Sequence, residues 1–147
     1  MPNDKLEDHA KKRLKEGWIK SWMMIEVVAI TPEAARSALE KHVEALEKFE
    51  KQKSLVVRKA YGEVKEVPKP LPDIEKGHAL VVELEMLTQN YETLFLIVLN
   101  YGPSAIEILE PGRISMDAGE AQGILNGLAD VLHRFAAMKA GGMIIKT

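Results

Sequence analysis

What most limits the fold of this chain is the order in which its hydropathy changes period. Residues 18–30 alternate with a period of two, and residues 31–50 then repeat apolar groups every three or four positions. The same exchange recurs at 77–87 and 90–101. A chain that switches in this way packs strands in one layer and helices in another. At 147 residues it has the length for one hydrophobic core, burying about 70% of its extended-chain surface.

The first strand, Trp18 to Ile30, has two unlike faces. Ile19, Met23, Ile25, Val27 and Ala29 form an apolar side, while Trp18, Lys20, Trp22, Met24 and Glu26 mix bulky groups with charges. Thr31-Pro32 then opens a helix, a threonine cap followed by proline at the first helical position, with Ala35, Ala38, Leu39, His42, Val43, Leu46 and Phe49 as its stripe to about Glu50. Leu55 to Val67 reads as a second strand with a bulge at Gly62, and Pro68-Lys69-Pro70-Leu71-Pro72-Asp73 as a stiff exposed loop. Gly77 to Leu87 is the third strand, with Leu80, Val82, Leu84 and Met86 alternating against Ala79, Val81, Glu83 and Glu85.

Asn90 caps a helix through Tyr101 whose apolar residues run almost all the way round, which predicts cover on more than one side. Gly102-Pro103 ends it, and Ala105 to Glu110 is a short fourth strand. Asp117 with Glu120 makes a capping-box-like start for a helix to about Met138, with Ile124, Leu125, Leu128, Val131, Leu132 and Phe135 as a buried stripe. Gly141-Gly142 stops it, and Met143-Ile144-Ile145 is read as a short edge strand.

The expected fold is therefore α+β, an α/β two-layer sandwich of ferredoxin-like βαββαβ type with an antiparallel sheet in the order 4-1-3-2. An N-terminal helical arm, residues 1–16, carries Leu6, Ala10 and Leu14 on one stripe with Asn3 as its cap. Residues 17–147 form a single domain with an extra C-terminal helix.

Composition removes several classes of function. With 22 acidic and 20 basic residues interspersed, the chain has no basic stripe for nucleic acid. The apolar run Leu94 to Leu99 is too short to span a bilayer, and no apolar signal segment follows Met1, so a cytoplasmic protein without membrane contact is expected. Without cysteine there are no disulfides or thiolate sites. His9, His42, His78 and His133 share no ligand spacing, so neither metal nor cofactor is expected. Scarce Asn and Gln beside abundant Glu and Lys fit a thermophilic source.

The segment Tyr101-Gly102-Pro103-Ser104-Ala105-Ile106-Glu107-Ile108-Leu109-Glu110-Pro111 resembles the helix exit and strand of the C-terminal extension of WYL-type transcription regulators, a likeness that reaches from Gly77 to about Phe135. No site residue of those regulators carries over, because the chain has neither their helix-turn-helix nor their WYL core. The whole chain resembles stand-alone ACT-like modules, which pair through their sheets and hold small effectors at the junction, and it looks like a member of an archaeal small-protein family.

With both central helices on the Ile19 side, the opposite face displays Trp18, Trp22 and Met24 beside Glu26, Glu83, Glu85 and Glu107, a patch that a monomer rarely leaves open. The arm, the last helix, a second copy or a small ligand would cover it. The carboxylates are expected to pair with Lys20 or Arg58. The leading expectation is a non-enzymatic homo-oligomerisation module, a dimer first of all, or a small-molecule effector sensor built on Trp18, Trp22, Met24, Glu26, Glu83 and Glu85. The alternative is a small enzyme at a subunit junction, with Glu26, Glu83, Glu85, Tyr61 and His78 moving protons. An RNA-binding sheet is disfavoured by the acidic surroundings.

Overall fold

A computed structural model describes residues 2–139. In chain order the elements are α1 (Pro2–Lys15), β1 (Ile19–Ala29), α2 (Pro32–Lys48), β2 (Ser54–Tyr61), β3 (Lys65–Leu71), β4 (Ile74–Thr88), α3 (Tyr91–Tyr101), β5 (Ala105–Glu110) and α4 (Ala118–Lys139). The protein is α+β, and it divides into two compact units, one ending at Ile114 and one beginning at Ser115.

The first unit is an open antiparallel sheet of five strands in the order β2-β4-β1-β5, with β3 also beside β4. β1 and β4 pair along their full common length, Ile19 opposite Thr88 and Ala29 opposite His78. The alternation read from the sequence sets which face is buried. Ile19, Met23 and Ile25 of β1 and Leu80, Val82, Leu84 and Met86 of β4 turn to one side, where α2 contributes Ala35, Leu39, Val43 and Leu46 and α3 contributes Leu94 and Ile97. The i, i+4, i+8, i+11 spacing on α2 makes this contact continuous along the helix.

The caps behave as their residue types require. Thr31 Oγ1 accepts from the Ala34 amide at 3.0 Å, and Asn90 Oδ1 accepts from the Thr93 amide at 2.9 Å. Gly102 closes α3 at φ 54°, ψ 53°, with its amide bonded to the Val98 carbonyl. No atom stands within 4 Å of where a Cβ would be, so Gly102→Ala tests the backbone alone. It is expected to lose about 1 kcal/mol, read as a lower urea midpoint at unchanged slope.

Two hydroxyls are anomalous. Among the described residues Ser21 Oγ and Thr88 Oγ1 are buried without a hydrogen-bond partner. A hydroxyl in that position loses its water and gains nothing in return. Thr88→Val keeps the shape and removes the orphan, and it is expected to raise stability by about 1 kcal/mol, seen as a higher unfolding midpoint.

The segment expected to be a single bulged strand followed by a loop is instead two strands. β2 stops at Tyr61, the chain breaks step over 62–64 with the Gly62 amide donating to the Val81 carbonyl at 2.8 Å, and β3 resumes along β4. Pro68 and Pro70 lie inside β3. They are tolerated because β1 fills the other side of β4 and β3 is an outer strand, where a missing N–H costs no ladder bond. The sheet accordingly has five strands where four were expected, and β4 starts at Ile74.

Three smaller readings are also corrected. α1 begins at Pro2, so Asn3 lies within its first turn and does not cap it. α3 buries Thr93, Leu94 and Ile97, a single stripe, although it is apolar nearly all round. In the second unit α4 starts where Asp117 predicts, its Oδ1 accepting from the Glu120 amide at 2.8 Å. Its stripe is not buried: Leu125, Leu128, Leu132 and Phe135 are exposed, as is Met138. The edge strand expected at Met143–Ile145 lies outside the described residues.

Candidate functional site

Register fixes the face of the sheet that turns away from α2 and α3. Lys20, Trp22, Met24, Glu26 and Val28 alternate onto it from β1. Trp22 stands between Glu85 of β4 and Glu107 of β5, Met24 between Glu83 and Ala105, and Glu26 opposite Val81. Ala60 of β2 lies beyond Glu83. The structure thus brings Trp22, Met24, Glu26, Glu83 and Glu85 onto one surface.

Trp18 is not part of it. The residue precedes β1, is 6% exposed, and carries the Arg13 guanidinium over its ring at 4.8 Å. It lines a groove of about 610 Å³ with His9 of α1, Glu44 and Lys48 of α2, and Ser54. Its environment is local cover by the N-terminal helix, with a cation–π contact. Sequence alternation alone places it with Trp22, but the strand pattern begins one residue later.

α1 also packs against β2 and β4. Leu6, Ala10 and Leu14, the stripe read from the sequence, meet Lys20, Arg58, Glu85 and Leu87 around a groove of about 490 Å³. The arm therefore covers the end of the outer face nearest Lys20.

The carboxylates are engaged as their strand positions allow. Glu85 Oε2 accepts from Arg58 Nε at 2.6 Å while its Oε1 lies 3.7 Å from Lys20 Nζ. Glu83 Oε1 accepts the Trp22 indole N–H at 3.0 Å, a diagonal cross-strand bond. Glu26 and Glu107 are exposed.

The groups of the enzymatic alternative do not converge. Tyr61 pairs with Val82 and His78 with Ala29, which puts both on the helix side of the sheet, opposite Glu26, Glu83 and Glu85. Burial raises the Tyr61 hydroxyl above its ordinary range, Lys59 opposes this, and Glu40 and Glu47 of α2 add to it. No three acidic or histidine side chains among the described residues are placed to share a metal ion. His42 is structural: its Nε2 lies 2.9 Å from the Tyr101 carbonyl and its ring meets the Tyr101 ring edge-on.

One feature escaped the sequence reading. On the helix side, Tyr91, Leu94, Phe95 and Val98 of α3 and Ile106 and Ile108 of β5 line an apolar groove of about 370 Å³. The signal was present in the all-round apolar character of α3 and in the alternate isoleucines of β5.

Fold and surface together define an α+β domain on an open antiparallel sheet, with Trp22 among carboxylates on its outer face and a helix-side apolar groove. Over residues 20–145 the chain matches the MJ0538 family, and it belongs to that family. The family is named for a Methanocaldococcus protein, which fits the resemblance to an archaeal small-protein family. The match leaves out α1. No curated protein matches the chain. Among the described residues no helix is long and apolar enough to cross a membrane.

Proposed function

We propose that this protein is a non-enzymatic homodimerisation module whose outer sheet face meets the same face of a second copy. One observation carries the reading. Trp22 and Met24 stand on that face with Ala60, Val81 and Ala105 close by, and of the carboxylates beside them Glu85 is paired with Arg58 and Lys20 while Glu83 accepts the Trp22 indole N–H. Interface cores are built this way, with aromatic and Met side chains enriched at the centre and charges displaced to the rim.

The fold supports the same reading. The path β5-β1-β4-β2 supports a ferredoxin-like reading in which β3 counts as the continuation of β2 along the same side of β4. ACT-like modules of that order pair through their sheets, and a small effector would then enter beside the Lys20 and Arg58 end, where the α1 groove opens. The likeness of 77–135 to the WYL-type extension belongs to the same layout. The composition rich in Glu and Lys favours a source in a hot environment.

Light scattering on the intact chain tests the interface. A chain of 16.4 kDa is expected to run at twice that mass, and Trp22→Glu, which places a charge at the centre of the contact, to run as a folded monomer with unchanged circular dichroism. A monomeric wild type at micromolar concentration, or a Trp22→Glu dimer of undiminished stability, sinks the proposal.

A further inference from the structure

The groove under the N-terminal helix joins an apolar floor to a cluster of charges that does not balance. Leu6, Ala10 and Leu14 of α1 form the floor with Val57 and Leu87 of the strands. All but Leu87 remain half-buried, so the stripe of α1 keeps apolar surface turned into a space of about 490 Å³. That volume lies within the range of small-molecule sites, roughly 300–1,000 Å³. The rim sets Lys11, Lys20 and Arg58 against Glu7 and Glu85, one positive charge in excess. Glu85 serves two cations at once: it accepts from Arg58 Nε at 2.6 Å and stands 3.7 Å from Lys20 Nζ, too far for a hydrogen bond. Among the described residues, Lys20 Nζ and the two Arg58 Nη groups have no hydrogen-bonded acceptor, although the Lys20 side chain is only 30% exposed.

We infer that this groove binds a small organic carboxylate with an apolar chain, of which a medium-chain alkanoate is the simplest member. The chain lies along Leu6, Leu14, Val57 and Leu87, and the carboxylate at the rim accepts from Lys20 and from the Arg58 Nη groups that Glu85 leaves free. A guanidinium presents donors on more than one edge, so Arg58 holds Glu85 through Nε and the ligand through Nη. The apolar floor supplies affinity, and the excess positive charge selects the sign of the ligand. A cation of the same length would meet Lys11, Lys20 and Arg58 without a partner for its own charge. The inference rests on the effector part of the reading above and not on the homodimer, because every lining residue comes from one chain.

Isothermal titration calorimetry on the intact chain tests this with octanoate, acetate and octyltrimethylammonium. Octanoate is expected to bind saturably, one per chain. Acetate, the head without the chain, and octyltrimethylammonium, the chain under the opposite charge, are expected to give no saturable heat. Arg58→Gln removes an anion contact and Ala10→Phe fills the groove; with circular dichroism confirming that each folds, each is expected to weaken octanoate roughly tenfold or more. Light scattering on the same samples keeps the two readings apart. A monomeric wild type that binds octanoate removes the homodimer alone, and a wild-type dimer that ignores octanoate removes the carboxylate site alone. The inference is also overturned if octyltrimethylammonium binds as tightly as octanoate, or if octanoate binds undiminished to both variants.

Discussion

Leu39→Ala is expected to lose about 3 kcal/mol of folding stability, within the usual range for emptying a buried leucine site. Leu39 is wholly buried on α2, in the cluster that joins Met23 and Ile25 of β1 to Leu84 and Met86 of β4 and to Ile97 of α3. Its removal takes away apolar transfer energy and leaves a cavity, because the strands behind it are fixed by their ladders and cannot collapse into the gap. Urea unfolding at constant slope measures the loss. A change below about 1 kcal/mol would mean that this cluster is not the centre of the fold.

Tyr101→Ala is the second large effect, and its causes can be separated. The tyrosine ends α3 and ties it to α2: its hydroxyl donates to the Ala45 carbonyl at 3.1 Å, its ring meets Phe49 and His42 edge-on at 5.5 and 5.2 Å, and its own carbonyl faces His42 Nε2. Loss of the whole side chain is expected to cost about 2–3 kcal/mol, below a fully buried aromatic because the residue is half-exposed. Tyr101→Phe removes only the hydroxyl bond and is expected to cost about 1 kcal/mol.

The same hydroxyl gives stability a sign in alkali. Burial holds the Tyr101 pKa above its ordinary value of 10.0, so the folded state keeps the phenol proton that the unfolded chain gives up. The contribution is therefore complete below pH 10 and is lost as pH rises through the folded-state value; Tyr61, raised chiefly by burial, acts in the same direction. Alkaline unfolding followed in wild type and in Tyr101→Phe checks this. The variant should lose less stability between neutral and alkaline pH, and parallel curves would refute the assignment.

Much of the architecture was legible because it depends on local pattern. The two faces of β1, the Thr31 and Asn90 caps, the Gly102 stop and the Asp117 start all follow from side-chain chemistry acting over three or four residues. The failures came where the decisive partner is distant. Pro68 and Pro70 argue against a strand in isolation, and only the arrangement that seats β1 on the other side of β4 shows that no ladder bond is lost there. Trp18 and Trp22 look alike in sequence, yet Arg13 and α1 enclose the first while the register of β1 turns the second outward.

The candidate surface was half legible for the same reason. Pairing of Glu85 with Arg58 and Lys20 follows from alternation plus charge. The bond from the Trp22 indole to Glu83 depends on a diagonal register that alternation alone does not specify. The groove between α3 and β5 needs two elements brought side by side before it exists at all.

The N-terminal helix has a further consequence. Because it packs on the sheet around Lys20, Arg58, Glu85 and Leu87, it acts as a fixed shutter over that end of the outer surface. Anything that lands there meets a boundary drawn by a segment outside the stretch shared with the family, so members differing only in that leading helix would present windows of different width on one common frame.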